Sequence, residues 1–240
     1  MNEKKIFILI FIFFTNYVSS QKEIYIDEQG DTIPNSQITE KKKSLGKSIT
    51  SWRYIGKDGN EYVKLSNNKY LKGVFDYEII RKELEYITNS KITDSSTIII
   101  EYFFKGDLCT NASKDDIWTK GEINKRKSFI KPIKKVLVSK GIFFVCLFEL
   151  GIELKNKEEK PNEYFFTDKK GFFKENIFLN QSSCGSYVAI KPNGETLIRN
   201  GGEYRADWFA NHLTEENWSL FFKPVEEKTK EEKNTLSFHI

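Results

Sequence analysis

The feature that most constrains this chain is an alternation of helix and strand patterns that begins near residue 74. Six apolar residues first recur at helical spacing: Val74, Phe75, Ile79, Ile80, Leu84 and Ile87. The β-branched and aromatic run 97–104 follows and is typical of a central strand. A second helical stripe then precedes the apolar run 142–150, which predicts another buried strand; its members are Phe129, Ile130, Ile133, Val136 and Leu137.

The last part of this alternation predicts a short helix, a hairpin and a closing helix. The short helix is expected within 168–178, and the hairpin has strands at 187–190 and 196–198 joined across Asn193-Gly194. The closing helix is expected from about Tyr204 to His212. With residues 62–65 as a possible leading strand, the order predicts an α/β fold with a mixed central sheet and helices on both faces.

Ahead of this region, residues 21–73 predict a small β-rich segment. Strand patterns occur at 23–26, 52–55 and 62–65, and Asp58-Gly59 favours a tight hairpin between the last two. The predicted organisation is therefore a signal peptide at 1–20, the β-rich segment at 21–73, the α/β domain at 74–222 and a charged tail at 223–240.

The first 20 residues have the three parts of a secretory signal peptide. Lys4 and Lys5 provide the positive start, 6–14 is an apolar run, and Val18-Ser19-Ser20 supplies small residues for cleavage near Ser20. A spanning helix needs about 20 apolar residues, so this run is too short to stay as an anchor. We expect an exported protein, periplasmic or secreted, without stable membrane insertion after cleavage.

Charge and residue types exclude several classes of function. The formal net charge is +4, and both signs are interspersed along the chain, which is typical of a solvated surface rather than a nucleic-acid footprint. The two histidines, His212 and His239, lie far apart and match no zinc spacing, and no glycine-rich phosphate loop is present. We therefore expect no metal, no cofactor and no nucleic-acid partner. The ligand stays open, and a protein partner is compatible with the sequence.

Three cysteines remain in a chain that is expected to reach an oxidising compartment. Cys146 lies inside the apolar run 142–148, so we predict a buried, inert structural thiol. Cys109 and Cys184 lie in loop-like contexts and can pair with each other. An odd count allows either one disulfide with one free thiol or three free thiols.

The order of elements, with some local residues, resembles the thioredoxin-like superfamily over roughly residues 60–215. Cys109 follows the aromatic strand end Tyr102-Phe103-Phe104 at the spacing of the family's redox cysteine, and Pro132 lies early in the next helix. The hairpin at 186–199 is similar to the family's last two strands. The resemblance implies a thioredoxin-like fold with Cys109 in the position of the attacking cysteine.

The chain departs from the family at its working motif, Cys-x-x-Cys. If Cys109 is the first position, the resolving position holds Ala112. Counting back from Pro132 instead places the two cysteine positions at Asn124 and Lys127, and the sequence does not decide between these registers. The position of the family's cis-proline holds Gly185.

In the thioredoxin-like fold, the loop before the penultimate strand lies against the redox-cysteine loop. The resemblance therefore implies that Cys109 and Cys184 are neighbours and form a disulfide, structural in preference to catalytic. Two functions follow as hypotheses. One is an exported binding or structural module that lacks an intact redox motif. The alternative is a periplasmic or secreted thiol-disulfide oxidoreductase that uses Cys109.

Overall fold

The computed structural model of the chain describes residues 23–109, 116–156, 160–201, 208 and 211–222. The predicted signal peptide at 1–20, Ala112, most of the predicted closing helix and the charged tail at 223–240 lie outside the described residues. Within the described ranges, no helix is both long and apolar enough to cross a membrane.

The N-terminal segment forms a four-stranded sheet in the order β2-β1-β4-β3. Its strands are β1 (Ile24–Ile26), β2 (Thr32–Ile33), β3 (Ile49–Ile55) and β4 (Glu61–Asn67), and helix α1 (Ile38–Leu45) connects β2 to β3. The predicted hairpin between β3 and β4 is present, with Gly59 at φ +81° in its turn. We call this unit the small sheet.

The large sheet contains six strands in the order β10-β8-β6-β11-β12-β5. They are β5 (Tyr70–Val74), β6 (Ile98–Phe103), β8 (Phe143–Phe148), β10 (Phe165–Thr167), β11 (Ser186–Ile190) and β12 (Glu195–Asn200). Strands β6, β8 and β10 are parallel to one another, and β11, β12 and β5 continue the sheet in antiparallel pairs. The strands β7 (Ile117–Trp118) and β9 (Glu153–Leu154) form a separate short pair.

Helices cover both faces of the large sheet: α2 (Tyr77–Thr88) and α4 (Phe172–Asn176) on one face, α3 (Lys120–Ser139) and α5 (Glu215–Phe222) on the other. Helix α2 begins where the Asp76 side chain accepts a hydrogen bond from the Ile79 N–H. Helix α3 begins with a capping box between Thr119 and Glu122. These local signals fix where each helix starts, while the apolar stripe of each helix decides which side meets the sheet.

Two hydrophobic clusters fill the space between the sheet and its helices. Alternate residues of β6 point into opposite clusters, Ile98 and Ile100 towards α2 and Ile99 towards α3, as the period of two in a strand requires. The predicted fold class is therefore confirmed: a mixed sheet with helices on both faces, in the thioredoxin-like order. Ile99, Val145 and Val188 all belong to this one sheet.

Two features of the large sheet differ from the sequence-based prediction. The prediction that residues 62–65 lead this sheet is wrong, since β4 pairs with β1 and β3 in the small sheet. The outer positions are instead taken by β5 and by the three-residue β10, neither of which has a clear strand pattern. Strand β5 also extends the large sheet across the boundary predicted between residues 73 and 74.

Candidate functional site

The candidate site is a disulfide between Cys109 and Cys184, whose Cα atoms lie 5.0 Å apart. Cys109 follows the end of β6, and Cys184 precedes the start of β11. These strands are antiparallel neighbours with Tyr102 opposite Ser186, so both loops leave the sheet at the same end. The topology of the sheet therefore brings the two cysteines together from 75 positions apart in the sequence.

A single buried carboxylate, that of Asp107, accepts hydrogen bonds from the backbone of both cysteines. The Asp107 side chain is 2% exposed. Its Oδ1 accepts a hydrogen bond from the Cys109 N–H at 2.9 Å, and its Oδ2 accepts one from the Cys184 N–H at 2.8 Å. Because hydrogen bonds to a charged acceptor are stronger than neutral ones, Asp107 fixes the two loops to each other independently of the sulfur–sulfur bond.

Backbone conformation at the second cysteine is unusual, because both Cys184 and Gly185 have positive φ, +67° and +80°. A Cβ atom at Gly185 would lie 2.9 Å from the Tyr102 carbonyl oxygen. The sequence resemblance places the family's cis-proline at this position, and no cis peptide bond occurs among the described residues. Two consecutive left-handed residues turn the chain into β11 here, and only glycine fits the second of them.

We expect Gly185→Ala to lower the free energy of unfolding by about 1–3 kcal/mol, because the new methyl group adds a backbone clash to an unfavourable φ. Gly59→Ala is a matched control, since Gly59 has almost the same φ but no atom within 4 Å of its Cβ position. Urea unfolding of both variants measures the difference. Equal losses in the two variants would contradict the close approach to Tyr102.

The small sheet covers one side of the disulfide loops. Strand β3 is an edge strand of that sheet, and its free backbone groups contact the loop before Cys184. The Ser183 N–H donates to the Ser51 carbonyl oxygen at 2.7 Å, and the Arg53 N–H donates to the Ser183 Oγ at 2.9 Å. On the same strand, Trp52 packs edge-on against Phe104, with ring centroids 5.9 Å apart. The N-terminal segment is therefore part of the site.

A groove of about 490 Å³ runs between the small sheet and the disulfide loops. Trp52, Tyr54 and Lys64 line it from the small sheet, and Lys105, Leu108 and Gln181 line it from the loops. Cys109 itself is exposed, whereas Cys184 is half-buried. The disulfide thus joins two loops that both contribute to the wall of this groove.

Cys146 lies apart from the disulfide, in a buried polar network at the centre of the sheet. Glu101 is 1% exposed, forms an ion pair with Arg126 and accepts a hydrogen bond from the Tyr187 hydroxyl at 2.7 Å. The Cys146 thiol donates to the same carboxylate at 3.4 Å. Burial raises the pKa of the Cys146 thiol well above its ordinary value, which keeps the thiol protonated and unreactive.

Asp168 is a second buried carboxyl, directly after β10. One oxygen, Oδ2, accepts from the N–H groups of Phe173 and Lys174 and from the Tyr102 hydroxyl, whereas Oδ1 has no hydrogen-bond partner among the described residues. Burial raises the pKa of Asp168 above its ordinary value. Burial likewise raises the pKa of Glu149, which follows β8 and accepts a hydrogen bond from the Lys105 N–H.

Because the pKa of Asp168 is higher in the folded than in the unfolded state, its contribution to stability is complete below the unfolded pKa and is lost as the pH rises through the folded pKa. We therefore expect the stability of the wild type, relative to Asp168→Asn, to increase as the pH falls from about 7 to about 4. Urea unfolding of both proteins across this range measures it. A difference that does not change with pH would contradict the raised pKa of this buried carboxyl group.

The structure brings together only some of the residues that the sequence singled out. Cys109 and Cys184 are bonded, and Gly185 lies beside them. Asn124 and Lys127, the alternative redox positions, lie inside α3, where Lys127 forms an ion pair with Glu163 at 2.6 Å. That second register therefore places neither position at the disulfide.

Sequence reasoning missed three parts of the site: Asp107, the contact between β3 and the loop before Cys184, and the groove. Only Asp107 had a local signal, because an aspartate two residues before a turn N–H commonly accepts its hydrogen bond. The contact of Ser51 with Ser183 joins segments far apart in the sequence, and no local pattern marks it.

No protein-family model and no curated protein matches the sequence. Two solved structures are similar in backbone. The N-terminal domain of PilB from Neisseria gonorrhoeae has a TM-score of 0.35 and 11% identity, over 55% of this chain and 89% of that one. The pneumococcal exposed lipoprotein thioredoxin Etrx1 from Streptococcus pneumoniae strain TIGR4 has a TM-score of 0.31 and 10% identity, over 67% of this chain and 96% of that one. Both TM-scores are below 0.5, so the fold is assigned from the strand order described above and not from these similarities.

Proposed function

We propose that this chain is an exported, thioredoxin-like binding or structural module in which the Cys109–Cys184 disulfide is a structural bridge. The observation that carries the proposal is the hydrogen bonding of one buried carboxylate, Asp107, to the N–H groups of both cysteines. A redox cysteine works as a thiolate, and cations or helix N-termini stabilise thiolates. A carboxylate next to both cysteines has the opposite effect, since it disfavours a second negative charge nearby.

Two further observations support a structural bridge. The third cysteine, Cys146, is buried among the side chains that contact α3, and its thiol is bonded to Glu101, so it is not placed to resolve a mixed disulfide. Strand β3 also contacts the loop before Cys184, which leaves less of that sulfur's surroundings open to another protein. The bridge then serves to hold the groove wall formed by Lys105, Leu108 and Gln181 in one shape.

Export is part of the same proposal. The N-terminal pattern of Lys4, Lys5 and the apolar run 6–14 favours a cleaved signal peptide. A disulfide between two loops persists in an oxidising compartment such as a periplasm or the extracellular space. Mass spectrometry of the protein secreted by an expressing bacterial cell tests this: we expect a new N-terminus at Gln21, and an intact Met1 on an exported protein would contradict cleavage.

The resistance of the disulfide to reduction tests the proposed role. A structural bridge should have a reduction potential below about −300 mV and stay oxidised in glutathione buffers. We expect thiol trapping to find Cys109 and Cys184 blocked in such buffers and free only after a strong dithiol reductant or denaturation. In Asp107→Ala the bridge should open more readily, because both N–H bonds that hold the loops are lost.

The alternative, thiol-disulfide exchange through Cys109, is favoured by one observation: Cys109 is exposed, whereas Cys184 is half-buried. Exchange requires attack on an accessible sulfur. If the oxidised protein equilibrates with glutathione within seconds, or if alkylation of the reduced protein shows a Cys109 pKa well below 8.5, the oxidoreductase is correct and the structural bridge is wrong.

A further inference from the structure

Helix α3 carries an exposed face that its packing on the sheet does not explain. The inner side is fixed by Ile123, Ile130 and Leu137, which are buried against the sheet. On the outer side three apolar side chains remain about half exposed: Phe129 at 51%, Val136 at 48% and Val138 at 56%. With 20 residues, the helix presents this face over about 30 Å.

The exposed apolar residues lie among lysines. Phe129, Pro132 and Val136 follow one another at spacings of three and four, so they form one stripe along the helix surface. Five exposed lysines occur on the solvent side of the helix and at its C-cap: Lys120, Lys125, Lys131, Lys135 and Lys140. Lys120, Lys125, Lys131 and Lys135 have no ion-pair partner within the described part of the chain.

Helix α3 itself contains a single acidic residue, although the chain as a whole carries 34 of them. The one acidic residue of α3, Glu122, is occupied in the capping box with Thr119. Helix α2 shows the contrast, because its surface mixes both signs and Arg81 bridges Glu78 and Glu85. The exposed charges of α3 are therefore almost all positive. The lysine-rich composition of the chain does not explain this by itself, because α2 carries charges of both signs.

We propose that this face of α3 docks on an anionic lipid surface. On such a surface Phe129 and Val136 enter the boundary between headgroups and acyl chains, while the long lysine side chains reach the lipid phosphates. The protein is then held at a membrane peripherally, without a spanning helix. This inference goes beyond the proposed function, because it concerns the face of α3 and not the groove or the disulfide.

The composition of the face favours lipid over a protein partner. Lysine is depleted at the centre of protein–protein interfaces, while tyrosine, tryptophan and arginine are enriched there. The exposed face of α3 has five lysines and none of those three residue types, since Arg126 is turned inward to Glu101. A fluid, negatively charged surface needs no shape complementarity, and a convex strip of lysines and small apolar groups suits it.

Vesicle flotation with the purified protein tests the proposal. The probes are vesicles of phosphatidylcholine mixed with phosphatidylglycerol and vesicles of phosphatidylcholine alone. We expect binding to the anionic vesicles only, weakened by added salt because the attraction between lysines and phosphates is screened. No binding to anionic vesicles at low salt would overturn the proposal, and would leave an acidic protein or the chain's own tail as the occupant of this face.

Two double charge-reversal variants distinguish the effect of the lysines on α3 from the effect of the protein's net charge. Lys131→Glu with Lys135→Glu should lower the affinity for anionic vesicles by at least about 30-fold, given roughly fivefold for each lysine lost near the surface and added repulsion from the new glutamates. Lys57→Glu with Lys82→Glu alters net charge equally at exposed lysines on β3–β4 and α2, and should change affinity less than about threefold. Equal losses in the two pairs would overturn the docking face.

A third variant keeps every charge and tests the apolar stripe. Val136→Gln should weaken binding to anionic vesicles by about threefold, because the half-exposed valine no longer enters the lipid boundary. Its salt dependence should stay that of the wild type. Unchanged affinity in this variant would contradict insertion of the stripe. Thiol trapping of the same samples reports separately on the disulfide, so failure of one proposal is distinguishable from failure of the other.

Discussion

Replacing both Cys109 and Cys184 by serine is expected to lower the free energy of unfolding by about 4–5 kcal/mol. The bridge joins positions 75 residues apart, so it removes a large part of the freedom of the unfolded chain. The folded state should keep its shape, because Asp107 still accepts the N–H groups of both positions. Urea unfolding followed by tryptophan fluorescence measures the loss.

The reduced wild type is the matched control for this experiment. If the loss comes from loop closure, unfolding of the wild type in strong reductant should agree with that of the double serine variant. The oxidised wild type should be more stable than both. A difference below about 1 kcal/mol would contradict the loop-closure account and show that the unfolded chain is already restricted between these positions.

Arg126→Met is expected to cost about 3–5 kcal/mol, because it leaves the Glu101 carboxylate buried without its cation. The methionine fills a similar volume, so the loss reports on charge and hydrogen bonding more than on packing. The Tyr187 hydroxyl, 2.7 Å from the same carboxylate, replaces only part of the stabilisation that Arg126 provides. Chemical denaturation gives the free energy directly.

Two further variants test whether the loss comes from the buried ion pair. Lys125→Met removes a neighbouring but exposed cation and should change stability by no more than about 0.5 kcal/mol. Combining Arg126→Met with Glu101→Met removes both charges, and we expect the double variant to be more stable than the sum of the single losses predicts. Additive losses, or an Arg126→Met cost no greater than that of Lys125→Met, would show that the pair is not coupled.

The buried pair also shows where sequence reasoning was incomplete. Glu101 stands inside a run of isoleucines and aromatics, and the run was correctly predicted as a strand. Its partner lies 25 residues later on α3, and both are buried only because the helix packs across that strand. Neither residue had a local signal of pairing, since a charged residue in a helix is usually solvated.

The sequence by itself determined most of the local structure. The spacing of apolar residues placed α2 and the C-terminal part of α3. The β-branched and aromatic run 97–104 placed β6, the apolar run 142–150 placed β8, and Asn193-Gly194 placed the final hairpin. These features depend on each residue's own conformational preference and on neighbours a few positions away. The bounds of these elements were less accurate, and two strands without a clear pattern, β5 and β10, were not predicted.

Only the tertiary structure decided which strands pair and which side chains meet. Strand β4 was recognisable as a strand, but the sequence did not show which sheet it joins. It pairs within the small sheet, and β5 and β10 occupy the outer positions of the large sheet. The hydrogen bond from Cys184 to Asp107, and that from Ser183 to Ser51, likewise join distant segments. Such contacts arise from the packing of the whole chain, because their free energy is realised only when segments that share no local pattern are folded against one another.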